Sequence, residues 1–168
     1  MKAVKMIIHA ITLDPDSNSP ILILKEEGGE RTLPIWIGLL EATAIATEME
    51  KLQFARPMTH DLAINLLRAA GVKLLRIDVT DLKDNTYYAE ITIEAGGNIM
   101  KVDSRPSDAV ALALRADADI YVSENVLKSA TPVEHEPTIL SGDRKEKDKD
   151  KWSKILEELD PNAFKYKM

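Results

Sequence analysis

Slid along itself by 68 residues, this chain meets a second version of its own beginning. Val4-Lys5 falls on Val72-Lys73, Ile23 on Ile91, Glu26 on Glu94, and Gly28-Gly29 on Gly96-Gly97, all without a gap. Eight of the 27 positions in 4–30 match their counterparts in 72–98, where average composition supplies about two. One deletion later, Glu41-Ala42-Thr43-Ala44-Ile45-Ala46 meets Asp108-Ala109-Val110-Ala111-Leu112-Ala113. Further slippage brings Thr59-His60-Asp61-Leu62 onto Ser123-Glu124-Asn125-Val126. An internal repeat predicts two copies of one supersecondary unit that bury their apolar faces together.

Each unit reads alike. Apolar alternation predicts strands over 4–13, 20–26 and 31–36, and again over 73–81, 87–94 and 98–103. Gly28-Gly29 and Gly96-Gly97 supply the positive φ of tight hairpins. Alanine-rich helices follow at 38–51 and 106–115, then shorter ones at 60–70, ended by Gly71, and at 124–129. The expected fold is α+β: two β3α2 repeats, about 1–70 and 71–130, sharing one curved, barrel-like mixed sheet covered by helices. Three strands without intervening helices argue against a βαβ fold.

Beyond the body, 131–151 mixes Pro, Gly and alternating charge and reads as a solvated linker. In 152–168, Trp152, Ile155, Leu156 and Leu159 make one apolar stripe on a short helix that Pro161 stops. Such a helix is marginal alone and is expected to dock on the body or on a second subunit. Exposed sheet edges add to the expectation of a homodimer or other homo-oligomer.

Composition excludes several chemistries. Without cysteine there is no disulfide, thiolate–zinc site, iron–sulfur cluster or thiol nucleophile. No apolar run nears the roughly 18 residues that span a bilayer, and the N-terminus lacks a signal-peptide pattern, so no membrane partner and a cytoplasmic location are expected. A net charge of −6 runs against the basic surplus usual for proteins that grip nucleic acid. Any such function therefore needs a local positive groove, for which Lys51, Arg56, Arg68 and Arg105 are the candidates.

Four segments occur in an order and spacing that resemble a known family. They are Leu33-Pro34-Ile35-Trp36-Ile37-Gly38 with Glu41-Ala42, Arg56-Pro57-Met58-Thr59-His60-Asp61-Leu62, Asp84-Asn85-Thr86-Tyr87-Tyr88-Ala89, and Asp103-Ser104-Arg105-Pro106-Ser107-Asp108 running on through Ala113. On them the chain is identified as a member of the bifunctional nuclease (BFN) domain family. The resemblance implies a duplicated β3α2 fold and hydrolysis of both DNA and RNA. It implies no assignment of catalytic residues, which are read from the residues themselves.

Arg105-Pro106-Ser107-Asp108 opens a helix, with Pro106 at its first position. Arg105 is either tied to a carboxylate such as Asp103 or offers its planar fork to a phosphate, with Ser107 beside it. Glu41 and Asp108 occupy matching helix starts. They are either placed for the helix dipole or brought together to share a divalent cation such as Mg²⁺. Of the histidines at 9, 60 and 135, His60, beside the candidate N-cap Thr59, is the best general base or metal ligand. Its neighbour Asp61 faces elsewhere on a helix and forms no dyad with it. Arg56, extended before Pro57, is a second phosphate candidate or a loop tie. Trp36 reads as packing or an oligomer contact.

Two functions remain open. One is a nuclease of low sequence preference, with Glu41, His60 and Asp108 catalytic and Arg56, Arg105 and Ser107 binding nucleic acid. The other is a non-enzymatic homo-oligomeric interaction module with a tethered terminal helix.

Overall fold

In the computed structural model, which describes residues 2–130, the apolar runs become strands where alternation placed them. β1 (Ala3–Leu13), β2 (Pro20–Glu26) and β3 (Thr32–Trp36) form an antiparallel meander, followed by α1 (Leu39–Met49) and α2 (Thr59–Ala69). β4 (Val72–Lys83), β5 (Thr86–Ala95) and β6 (Asn98–Ser104) form a second meander that leads into α3 (Pro106–Ala116). β7 (Asp119–Ser123) and α4 (Glu124–Ser129) follow.

β7 is the unexpected element. The sheet runs β3-β2-β1-β7-β4-β5-β6, with β7 antiparallel to β1 and parallel to β4. This short strand therefore joins the two meanders, and Ile120 and Val122 send their side chains into the core. Two expectations are corrected here. The sheet is open, with β3 and β6 as edges, so the barrel-like closure does not form. The second half reads β-β-β-α-β-α, so the halves are not β3α2 copies element for element and a duplication does not follow from the topology. The linker and terminal helix expected over 131–168 lie outside the described residues.

The core lies between the sheet and the helices. Leu22, Leu24, Leu33, Ile35, Ile77, Val79 and Val122 meet Ile45 of α1 and Ala109, Val110, Ala111 and Ala113 of α3. Each fully buried Leu, Ile or Val contributes roughly 1.5–3 kcal/mol. The small alanines let α3 lie close on β4 and β5 while α1 and α2 pack on its sides. α3 is thus the hub against which α1 and α2 are gathered. Among the described residues no helix is long and apolar enough to cross a membrane.

Candidate active site

The first turns of α1, α2 and α3 converge. Pro106 occupies the first position of α3 as expected, and Arg105 is its extended N-cap, at φ −70° and ψ 143°. α2 begins one residue earlier than the capping chemistry of Thr59 implied: Met58 is the N-cap, and its backbone N–H donates to Asp61 Oδ2 at 2.9 Å. Gly38 precedes α1, and a Cβ there would collide with the Glu41 carboxylate that folds over it. Lacking a side chain at 38 is therefore part of how Glu41 is placed.

Arg105 and Asp108 together link the three. Its Nε donates to Asp108 Oδ2 at 2.7 Å, and its Nη1 makes an ion pair with Glu41 Oε1 at 2.8 Å. Asp103, the partner considered from sequence, is not used. On its other oxygen, Asp108 Oδ1 lies 3.0 Å from His60 Nε2. Burial pushes the Asp108 carboxyl up, but hydrogen bonds from Arg105 and His60 outweigh burial and hold it below the usual carboxylate range. An ionised carboxylate only accepts, so His60 Nε2 is the donor in this bond. The Arg105 guanidinium is held above its ordinary value first by the Asp108 bond and also by Glu41.

A second pair braces the cluster. Asp61 Oδ1 accepts from Arg115 Nε at 2.6 Å, and Arg115 Nη1 also donates to the carbonyls of Ala44 and Ala111. One guanidinium from α3 thus ties α1 and α2 to it. His60 and Asp61 point to different partners, as their adjacency on a helix requires.

An open groove of about 250 Å³ runs past Arg105, lined also by Trp36, Glu41, Asn85, Tyr87 and Ser107. His60 and Asp108 do not line it; they reach it through Arg105. Arg105 is held yet exposed, its side chain 66% accessible, with the described bonds made by its Nε and Nη1. Trp36 is 50% exposed rather than packed away. Its indole N–H donates to Asp14 Oδ2 at 2.9 Å, which fixes the ring edge and, with the Asp16 N–H, holds the Asp14 carboxyl below its ordinary range. The Tyr87 hydroxyl donates to the Pro34 carbonyl at 3.1 Å.

Of the four cations considered for a positive groove, Arg105 lines this one and Lys51, Arg56 and Arg68 do not. Lys51 is engaged by Glu48 and Arg68 by the Arg115 carbonyl, while Arg56 stands exposed in the bend before α2. Among the described residues no three His, Asp or Glu side chains gather in a metal-holding arrangement. Glu41 and Asp108 do come together, but around the Arg105 cation. Sequence reasoning missed Trp36, Tyr87 and Asn85 as groove residues. Their only signal was that the Trp36 and Asp84–Tyr88 segments recur in the family resemblance.

Fold and site together define a class: one open mixed sheet whose three longer helices start around an arginine–carboxylate–histidine cluster beside a groove. The chain belongs to the Bifunctional nuclease domain family, which matches residues 22–135. An uncharacterized protein of Mycobacterium tuberculosis is 39% identical over 161 residues, covering 94% of this chain and 96% of its own length. Bifunctional nuclease 1 of Arabidopsis thaliana is 28% identical over 109 residues, which is 62% of this chain and 34% of the plant protein. Bifunctional nuclease 1 of Oryza sativa subsp. japonica is 21% identical over 116 residues, 67% of this chain and 35% of its own.

Proposed function

We propose that this chain is a nuclease hydrolysing phosphodiester bonds of DNA and RNA with little sequence preference. One observation carries the reading: an exposed guanidinium, fixed by carboxylates from two helix starts, stands over a groove beside a half-exposed tryptophan. Arg105 Nη2 meets a phosphate oxygen and stabilises the charge that develops on it. The Trp36 face stacks a base, which any base can do, and phosphate contacts read no sequence. Water adds to phosphorus as the ester P–O bond breaks and the leaving oxygen takes a proton from solvent, while His60 acts from behind the groove, positioning Asp108 and through it Arg105. Ser107 on the groove wall adds a phosphate donor, and Arg56, exposed before α2, a further cation for the strand.

Glu41 and Asp108 serve here by holding Arg105. As metal ligands they would need a divalent cation to take the place of that guanidinium. A second reading, a non-enzymatic homo-oligomeric module, draws support from the exposed apolar strand β6, where Ile99, Met100 and Val102 face solvent.

Cleavage of labelled single-stranded DNA and RNA by the full chain tests the proposal. Arg105→Gln is expected to slow cleavage by about 10²-fold or more, and His60→Gln, which loosens Arg105 only through Asp108, by less. Full-length substrate surviving with Mg²⁺, Mn²⁺, Ca²⁺ or chelator alike refutes the nuclease and leaves the module.

A further inference from the structure

The two sheet edges are built differently. β3 is five residues long, carries Pro34, and buries its three central residues. β6 is seven residues long without proline, pairs with β5 in unbroken register, and exposes every residue from Asn98 to Asp103. Proteins normally blunt such an edge, because its free N–H and C=O groups are a template for another strand.

Which groups are free follows from the hairpin. Gly96 and Gly97 have φ of +57° and +81°, the two-residue turn whose flanking pair, here Ala95 and Asn98, exchanges hydrogen bonds. Bonded and non-bonded pairs alternate along an antiparallel ladder. Ile99, Lys101 and Asp103 therefore turn their backbone groups outward, away from β5.

Charge then selects the occupant. Glu90 is directly opposite Asp103 on the next strand, an unfavourable acid pair. Lys101 reaches Glu90 at 2.7 Å, but Asp103 has no cation partner among the described residues. When β6 pairs with a second copy of itself, opposed residues share a face, so the two-fold axis must pass beside a single residue. At Lys101 it sets lysine against lysine, and at Asp103 aspartate against aspartate. At Val102 it sets each Lys101 opposite the other copy's Asp103. Those two are the outward-bonding residues, so charge and backbone are satisfied together.

We propose that β6 is a homodimer interface, pairing antiparallel with a second copy about an axis at Val102 and extending the sheet across both chains. The surface is independent of the nuclease reading, and since Arg105 follows Ser104 directly, it sets the partner's hairpin turn near the groove.

The full chain tests this by light scattering and by crosslinking. Wild type is expected at twice the 18.7 kDa chain mass. Lys101→Glu and Asp103→Lys each place like charges across the axis and are expected to weaken the dimer at least tenfold, whereas the double variant restores it. The chain has no cysteine, so Val102→Cys is expected to oxidise to a disulfide dimer, its Cα atoms facing at roughly 4.5 Å in a non-bonded pair. Met100→Cys, opposite Ser104 of the second copy, is not. A wild-type monomer at 100 µM overturns the proposal, including one whose β6 amides are protected from exchange because residues 131–168 cover them. Single-charge variants that stay dimeric, or Met100→Cys crosslinking as well as Val102→Cys, overturn it too.

Discussion

Asp61→Asn is the sharpest test of how the helix starts are held together. The Arg115 side chain is 7% exposed and Asp61 32%. Asparagine keeps the shape and an oxygen for the Met58 N–H but removes the charge. Arg115 is then nearly buried with only the carbonyls of Ala44 and Ala111 to face it. Stranding one member of a buried ion pair costs about 3–5 kcal/mol, and the water that reaches Asp61 reduces this to about 2–3 kcal/mol. For a domain of this size that is a fall in Tm of about 6–12 °C. Arg115→Met instead strands a carboxylate that already has water and the Met58 N–H, and is expected to cost about 1–2 kcal/mol beyond its packing. Urea denaturation of both single variants and the double variant gives the coupling, expected at about 1.5 kcal/mol or more.

The same pair sets an acid limb. Burial pushes the Asp61 carboxyl up, but the Arg115 hydrogen bond and the Met58 N–H pull it below its ordinary value on balance. The unfolded chain therefore binds more protons than the native one near pH 4. Stability from this group is complete above the unfolded pKa, about 3.9, and is lost as pH falls through the folded value. Wild-type stability should drop on acidification below about pH 4, and Asp61→Asn should flatten that drop. An Asp61→Asn cost under 0.5 kcal/mol, or costs that add within that margin, would mean that Arg115 does not depend on Asp61 and that the brace is fictitious.

Other outcomes follow from the site. Trp36→Ala should weaken single-stranded DNA binding by roughly tenfold or more, and in a Trp152→Phe background the Trp36 fluorescence should quench on binding; unchanged binding removes the stacking role. Cleavage should persist in chelator, since Arg105 occupies the space between Glu41 and Asp108; strict dependence on a divalent ion, lost in Glu41→Gln, would instead put that ion where the guanidinium stands. Asp108→Asn should slow cleavage while removing part of the acid limb, because Asp108, like Asp61, is held below its ordinary range.

Most of the fold was legible because its signals are local. Ile21 and Ile23 alternate, the glycine pairs punctuate, and Pro106 opens its helix, all within one element. β7 was not legible. Its five residues hold only Ile120 and Val122 as buried apolar residues and run directly into α4, too brief for alternation to stand out. Its role is wholly non-local, since it is a strand by virtue of β1 and β4. Closure failed for a related reason: nothing in the patterning of β3 or β6 says whether the edges meet. At the site, residue types were legible and partners were not. In sequence Arg105 reads as tied to a carboxylate such as Asp103 or open to a phosphate, and its carboxylates are Asp108 and Glu41; Trp36 reads as packing or an oligomer contact and lies on the groove wall.

The structural and functional accounts of the cluster make different demands on Arg105, and that residue separates them. Glu41, Asp61 and Asp108 all lie in first helical turns, where the dipole alone favours a carboxylate by about 0.3–1 kcal/mol. Helix-start chemistry thus explains three acids without any substrate. It does not explain why two of them converge on one guanidinium. An exposed ion pair contributes only about 0–1 kcal/mol, so Arg105 at 66% exposure adds little to folding, while Arg115, at 7%, already supplies the cross-helix brace. Two carboxylates, one of them also bonded to His60, hold still a side chain that stability does not need held. Fixing an exposed cation costs side-chain entropy in the free protein and spares that cost when an anion arrives. That exchange is what a phosphate-binding residue requires.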